Sequence, residues 1–157
     1  MCGMARESAG LLMYRRRGGV IELLLVHPGG PFWKNKDAGA WTIPKGEVGP
    51  GEDLLAAAKR EFEEELGAAP AGEFVPLGSV KQKGGKVVHA WAVEGELDVA
   101  AVKSNTFEME WPPRSGKRQA FPEVDRAAWF DLATTRGKIN AGQAPLIDAL
   151  KREAGRV

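Results

Sequence analysis

Apolar and polar positions follow two different rhythms along this chain. Residues 8–17 (SAGLLMYRRR) and 20–28 (VIELLLVHP) are strand-like runs separated by Gly18-Gly19, the composition of a short hairpin. The arrangement returns at 75–83 (VPLGSVKQK) and 86–94 (KVVHAWAVE), joined through Gly84-Gly85. Residues 106–111 (TFEMEW) set Phe107, Met109 and Trp111 on one face of a strand and Glu108 and Glu110 on the other. Pro112-Pro113 ends that strand. A polar loop, RSGKRQAFPE, is expected next, followed by a short strand in AAWFDL.

The helical period takes over in EDLLAAAKREFEEELG, which follows Pro50-Gly51 and stops at Gly67. On a helix from 52 to 66, Leu55, Ala58, Phe62 and Leu66 form one stripe with the stem of Lys59. QAPLIDALKREAG closes the chain as a second helix with Leu146, Ile147 and Leu150 on its apolar side. Strands on both sides of a central helix, with a terminal helix, predict an α/β protein: a mixed sheet covered by helices. No repeat, low-complexity tract or linker interrupts residues 1–157, which read as a single domain.

Composition narrows the partners. Lys and Arg number 22 against 21 Asp and Glu, so no global field draws the molecule to nucleic acid or membrane, and an anion site must be a local cluster. One cysteine, Cys2, excludes an internal disulfide and fits a reducing compartment. Thiolates cannot build a metal site here, and two histidines, His27 and His89, do not suffice for an imidazole-rich one. The opening MCGMARESAG lacks the apolar core of a signal peptide, and LLLV at 23–26 is far short of a membrane span. A soluble cytoplasmic protein is expected.

The near balance hides one concentration. Residues 46–68 (GEVGPGEDLLAAAKREFEEELGA) hold seven carboxylates, and Glu61, Glu63, Glu64 and Glu65 fall at the C-terminal end of the predicted helix. The helix dipole already places negative charge there. Glu61 precedes Glu64 and Glu65 by three and four residues, so the three side chains share a patch, and each like-charged pair costs a few tenths of a kcal/mol on an exposed helix. A solvated acidic face is one reading. The other is a hard dication: Mg²⁺ accepts carboxylate oxygens and keeps room for waters and substrate phosphates. Arg60 then orients one carboxylate from outside the ligand shell.

Gly46, five residues, Glu52, seven residues, Arg60-Glu61, Phe62, Glu63, Glu64-Glu65, Leu66, Gly67, Ala68 resembles the signature box of the Nudix hydrolases at every fixed position. With each fixed residue at a background frequency of roughly 0.05–0.07, a chance match at one start is on the order of 10⁻⁸ or less. The resemblance implies a Nudix-type α/β/α sandwich with a catalytic loop-helix-loop. It also implies hydrolysis of a phosphoanhydride in a nucleoside diphosphate derivative, using water and Mg²⁺ or Mn²⁺. Carried over residue by residue, it makes Glu61, Glu64 and Glu65 metal ligands, adds the Lys45 carbonyl, has Glu52 support the shell and has Arg60 orient Glu61. The general base stays open between a box glutamate and Glu123 in FPEVDRAAWF, with Glu108 and Glu110 as rivals.

Pro44-Lys45-Gly46 resembles the subgroup that hydrolyses dinucleoside polyphosphates and diphosphoinositol polyphosphates, and Lys45 stands where it can reach a phosphate. Arg15, Arg16, Arg17, Lys34, Lys36, Lys81, Lys83, Arg114, Lys117 and Arg118 are candidate phosphate cations. Phe32, Trp33, Trp111 and Phe121 are candidate base platforms. Trp33 and Arg118 join Lys45 as the expected substrate contacts. His89 alternates with Val87, Trp91 and Val93 as a packed sheet histidine, and His27 has no assigned role. The expected substrate is a dinucleoside polyphosphate such as diadenosine tetraphosphate. The alternatives are a nucleoside triphosphate, a nucleotide sugar, the 5′ end of an RNA, or nucleotide sensing without catalysis. Segment 103–122 is read as an extension that shapes the pocket, and the sequence leaves the oligomeric state open.

Overall fold

The computed structural model describes residues 6–154, and Cys2 lies outside them. Among these residues the chain runs β1 (Glu7–Arg17), β2 (Val20–Pro28), β3 (Lys45–Glu47), α1 (Leu54–Leu66), β4 (Val75–Lys81), β5 (Val87–Glu94), β6 (Thr106–Glu110), β7 (Arg118–Pro122), β8 (Val124–Asp131), α2 (Leu132–Lys138) and α3 (Pro145–Ala154). The main sheet has the order β4-β5-β1-β2-β8, with β3 pairing β1 off that path. Only β1 and β5 run parallel, so the sheet is mixed.

The unbroken apolar runs of β1 and β2 are explained by burial on both faces. Leu12, Tyr14, Leu23 and Leu25 point to one core with Leu146, Ile147 and Leu150 of α3. Their neighbours Leu11, Met13, Leu24 and Val26 point to the other, with Ala57, Ala58, Phe62 and Leu66 of α1. These are the two halves of the expected α/β/α sandwich. Lys59 lays its ammonium 4.4 Å from the centre of the Phe74 ring, so its stem joins the stripe.

Several expectations need correction. The helix begins at Leu54 rather than 52, because Asp53 is its N-cap and accepts a bond from the Ala56 amide at 3.0 Å. Asp53 therefore has a structural duty beyond facing solvent. The expected loop RSGKRQAFPE contains β7, which pairs with β6 as a separate two-stranded sheet. Phe107 faces Phe121 across that pair, which gives the apolar side of β6 its partner. α2 is unanticipated because LATTRGK is short and its helix formers are interrupted by Thr134, Thr135 and Gly137. It is held by the Asp131 cap on Thr134 and by the buried Thr135 hydroxyl donating to the Asp131 carbonyl at 2.7 Å. His89 lies on β5 but is only part-buried, 3.1 Å from Glu7. WTIP makes two isolated bridges, Thr42 to Val26 and Trp41 to Ile139, and β3 follows it.

Candidate active site

The site is assembled where β3 crosses the C-terminal half of α1. β3 pairs Lys45 with Gly10 and Glu47 with Ser8, and so lies beside the first half of β1. Gly46 passes directly over Glu61: a methyl group at Gly46 would overlap the Glu61 carboxylate. This close approach requires glycine. At the other end of the helix Gly67 takes the left-handed conformation, φ 78°, and its amide donates to the Glu63 carbonyl at 2.8 Å.

Arg60 ties the loop to the helix. Its Nε and Nη2 donate to both oxygens of Glu52, at 2.8 and 2.9 Å, and Nη2 also reaches the Glu47 carbonyl at 3.1 Å. Glu52 in turn accepts from the Gly49 amide at 2.9 Å. The Arg60 guanidinium and the Gly49 amide hold the Glu52 carboxyl down at about 2. Arg60 Nη1 bridges Glu61 at 3.1 Å and Glu64 at 2.9 Å. One guanidinium thus separates three carboxylates that would otherwise repel.

Glu65 has no such relief. Burial pushes its carboxyl up to about 8, with Lys45 opposing and Glu61 and Glu123 adding to the rise. Burial also raises Glu61, helped by Glu64 and opposed by Arg60. Burial, together with the neighbouring Lys86 in side-chain contact, lowers Lys45 to about 8 against the opposing pull of Glu65 and Glu61. Neither lysine has a carboxylate within 4.0 Å among the described residues.

These groups line a cavity of about 780 Å³. Its lining brings together the carboxylates Glu61, Glu64, Glu65 and Glu123 and the cations Arg6, Lys45 and Lys86, with Trp33 also among the lining residues. No three His, Cys, Asp or Glu side chains among the described residues are gathered as a ready metal cage. Arg60 stands between Glu61 and Glu64 and holds them apart. The donor set nevertheless fits a hard dication: all its ligating atoms are oxygens, and Glu65 is a buried carboxyl short of positive charge.

Of the residues singled out from sequence, Lys45, Glu61, Glu64, Glu65, Glu123 and Trp33 meet in the cavity, with Glu52 and Arg60 immediately behind. Arg118 is not brought there: it sits exposed on β7, 3.4 Å from Glu108, which shares the outer face of the hairpin with Glu110. Arg15 is engaged by Glu22 and Glu96. Arg6 and Lys86 were missed. They reach the cavity because the parallel β1–β5 register puts Glu7 opposite Val87, a pairing made across 79 intervening residues and invisible to local pattern.

A NUDIX domain family matches residues 4–153. The asymmetrical bis(5′-nucleosyl)-tetraphosphatase of Caenorhabditis elegans is 45% identical over 62 residues, 40% of this chain and 41% of that protein. An RNA pyrophosphohydrolase of Erythrobacter litoralis is 36% identical over 64 residues, 41% of this chain and 35% of that protein. The matched stretches thus span well under half the length of these relatives. Among solved structures, the C. elegans Ap4A hydrolase binary complex superposes with a TM-score of 0.65 at 24% identity, covering 98% of this chain and 100% of that one. The NUDIX domain of Shewanella oneidensis NrtR, complexed with ADP ribose, gives 0.67 at 16% identity, covering 96% and 89%. At these identities the structures share a fold.

Proposed function

The chain belongs to the Nudix family, and on that footing we propose that it is a divalent-metal-dependent pyrophosphohydrolase acting on a dinucleoside polyphosphate such as diadenosine tetraphosphate. The observation that carries this reading is one cavity lined both by carboxylates and by the contacting pair Lys45 and Lys86. The carboxylates suit a dication and the lysines suit the oxygens of a polyphosphate chain, and resemblance to a tetraphosphatase favours the longer chain.

In this reading Glu61, Glu64, Glu65 and the Lys45 carbonyl hold Mg²⁺, with Mn²⁺ as a substitute. Glu52 and Arg60 fix the orientation of Glu61 from behind. The dication supplies positive charge against the bridging phosphates and acidifies a water. Glu123 lines the cavity close enough to Glu61 and Glu65 to raise both carboxyls, and it is the base that accepts a proton from the attacking water. Lys45 and Lys86 hold phosphate oxygens in line with the attack, and Trp33 packs on the nucleoside. Arg118 has no place in this scheme.

A substrate panel with product identification tests the proposal. Diadenosine tetraphosphate should yield ATP and AMP. Nucleoside triphosphates giving a monophosphate and pyrophosphate as the faster reaction would move the assignment to the triphosphate class, and RNA bearing a 5′ triphosphate belongs in the same panel because of the second relative. Glu64→Gln and Glu65→Gln should each lower turnover by about 100-fold or more, since even groups behind a metal's ligands are worth 10–100-fold. Wild-type turnover in either folded variant would remove the metal assignment.

A further inference from the structure

His27 is fully buried, yet neither of its ring nitrogens is idle. Nε2 lies 2.6 Å from the Lys36 carbonyl, which can only accept, so Nε2 carries a proton. Nδ1 lies 2.9 Å from Asp125 Oδ1, and a proton shared between these two atoms closes the second bond. The two partners come from different elements. Lys36 ends the turn that begins at Gly30 and includes Trp33, its amide donating to the Trp33 carbonyl at 2.9 Å. Asp125 belongs to β8, two residues beyond Glu123.

Asp125 is available to His27 for a specific reason. The β2–β8 register pairs His27 with Arg126 and Pro28 with Val124, so Asp125 is the extra residue of a β-bulge. A bulge re-aims a side chain out of the regular alternation, here toward the buried ring. Next to it the Gly29 amide donates to the Glu123 carbonyl at 3.0 Å. The loop that carries Trp33 is therefore fastened at its start to Glu123 and at its end to His27. Around the ring, Trp41 packs edge-on at 5.2 Å, and its indole donates to Asp37, the residue after Lys36.

We propose that His27 is a positioning residue: from inside the core it holds the Lys36 carbonyl and the Asp125 carboxylate together, and so fixes the Trp33 loop against the strand that presents Glu123. His27 does not line the cavity and acts only through these partners. This inference rests on the cavity being the substrate site proposed above.

The test compares His27→Phe, which keeps the ring shape, with His27→Gln, which keeps a donor near the Nε2 position, and Asp125→Ala, which leaves the core filled. His27→Phe should raise KM for whichever nucleotide the wild type cleaves by about 10-fold, the worth of a buried hydrogen bond, with kcat nearly unchanged. Gln should restore most of the loss, and Asp125→Ala should raise KM in the same direction. Hydrogen exchange without nucleotide gives a readout independent of turnover: amides in 30–37 should exchange faster in His27→Phe while those of α1 do not. Unchanged exchange in 30–37 overturns the proposal. So does equal loosening of α1, which marks His27 as ordinary core packing. If the wild type cleaves no nucleotide in the panel, the reading of the cavity fails, and exchange alone still decides the role of His27.

Discussion

Burial lifts the Glu65 carboxyl from its ordinary 4.5 to about 8, and burial drops Lys45 from 10.5 to about 8. Linkage turns these shifts into opposite slopes. Between pH 4.5 and 8 the folded chain keeps a proton on Glu65 that the unfolded chain has lost, so stability falls as pH rises. Between 8 and 10.5 the unfolded chain keeps a proton on Lys45 that the folded one has lost, so stability rises again. Metal-free protein should therefore show a minimum of melting temperature near pH 8. Glu65→Gln should remove most of the descending limb and leave the share of Glu61, and Mg²⁺ should shallow it in the wild type by supplying the missing charge. Thermal melts in chelator across this range check the prediction; parallel wild-type and Glu65→Gln profiles would mean that Glu65 does not carry the strain. The carboxylate crowding behind this behaviour is legible in the sequence as Glu61, Glu64 and Glu65 on one turn. Lys86 is not, because its contact with Lys45 depends on how distant strands pair.

Among the elements, β3 and α1 work as one unit, and Gly46 is the joint. Alanine at Gly46 leaves the sheet register of Lys45 and Glu47 available but drives a methyl group into the Glu61 carboxylate. The Glu61 carboxylate must then shift from its place beside Arg60, and the carboxylates of the cavity lose their arrangement. Gly46→Ala should keep native circular dichroism and lose about 100-fold in turnover, on the scale of a disturbed metal ligand; near-normal turnover would show that Glu61 tolerates displacement. The hairpin β1–β2 and the helix α1 can be read from sequence because each buries a long periodic stripe. β7 and α2 cannot. β7 offers Phe121 as its one large apolar contact to β6, and α2 depends on the Asp131 cap and the buried Thr135, features set by where β8 ends. Asp125 was equally hidden, since a bulge has no compositional mark in VDRAAWFD.

The molecule as a whole is nearly neutral, yet its cavity gathers charges of both signs, so charge acts by local placement and not by long-range steering. Two ammonium groups in contact, lacking carboxylates within 4.0 Å among the described residues, are held close only at an energetic disadvantage. On the proposed reading, an incoming polyphosphate would reverse that disadvantage, and a longer chain would bring more oxygens to the two lysines. Lys45 also interacts with Glu61 and Glu65, so replacing it would disturb the carboxylates as well. Lys86 precedes β5 and lies outside the expected metal-ligand set, which makes it the cleaner probe. Lys86→Met keeps the length and removes the charge. It should raise KM for diadenosine tetraphosphate by about 10-fold or more, the range of a hydrogen bond to a charged group, while kcat stays close to that of the wild type. A nucleotide sugar, which offers a diphosphate in place of a tetraphosphate, should lose less. Steady-state kinetics of both substrates at fixed ionic strength decide the matter. An equal loss on the two would mean that Lys86 grips a phosphate common to both and does not read chain length, whereas a loss confined to the tetraphosphate would locate the far end of the chain at the β5 side of the cavity.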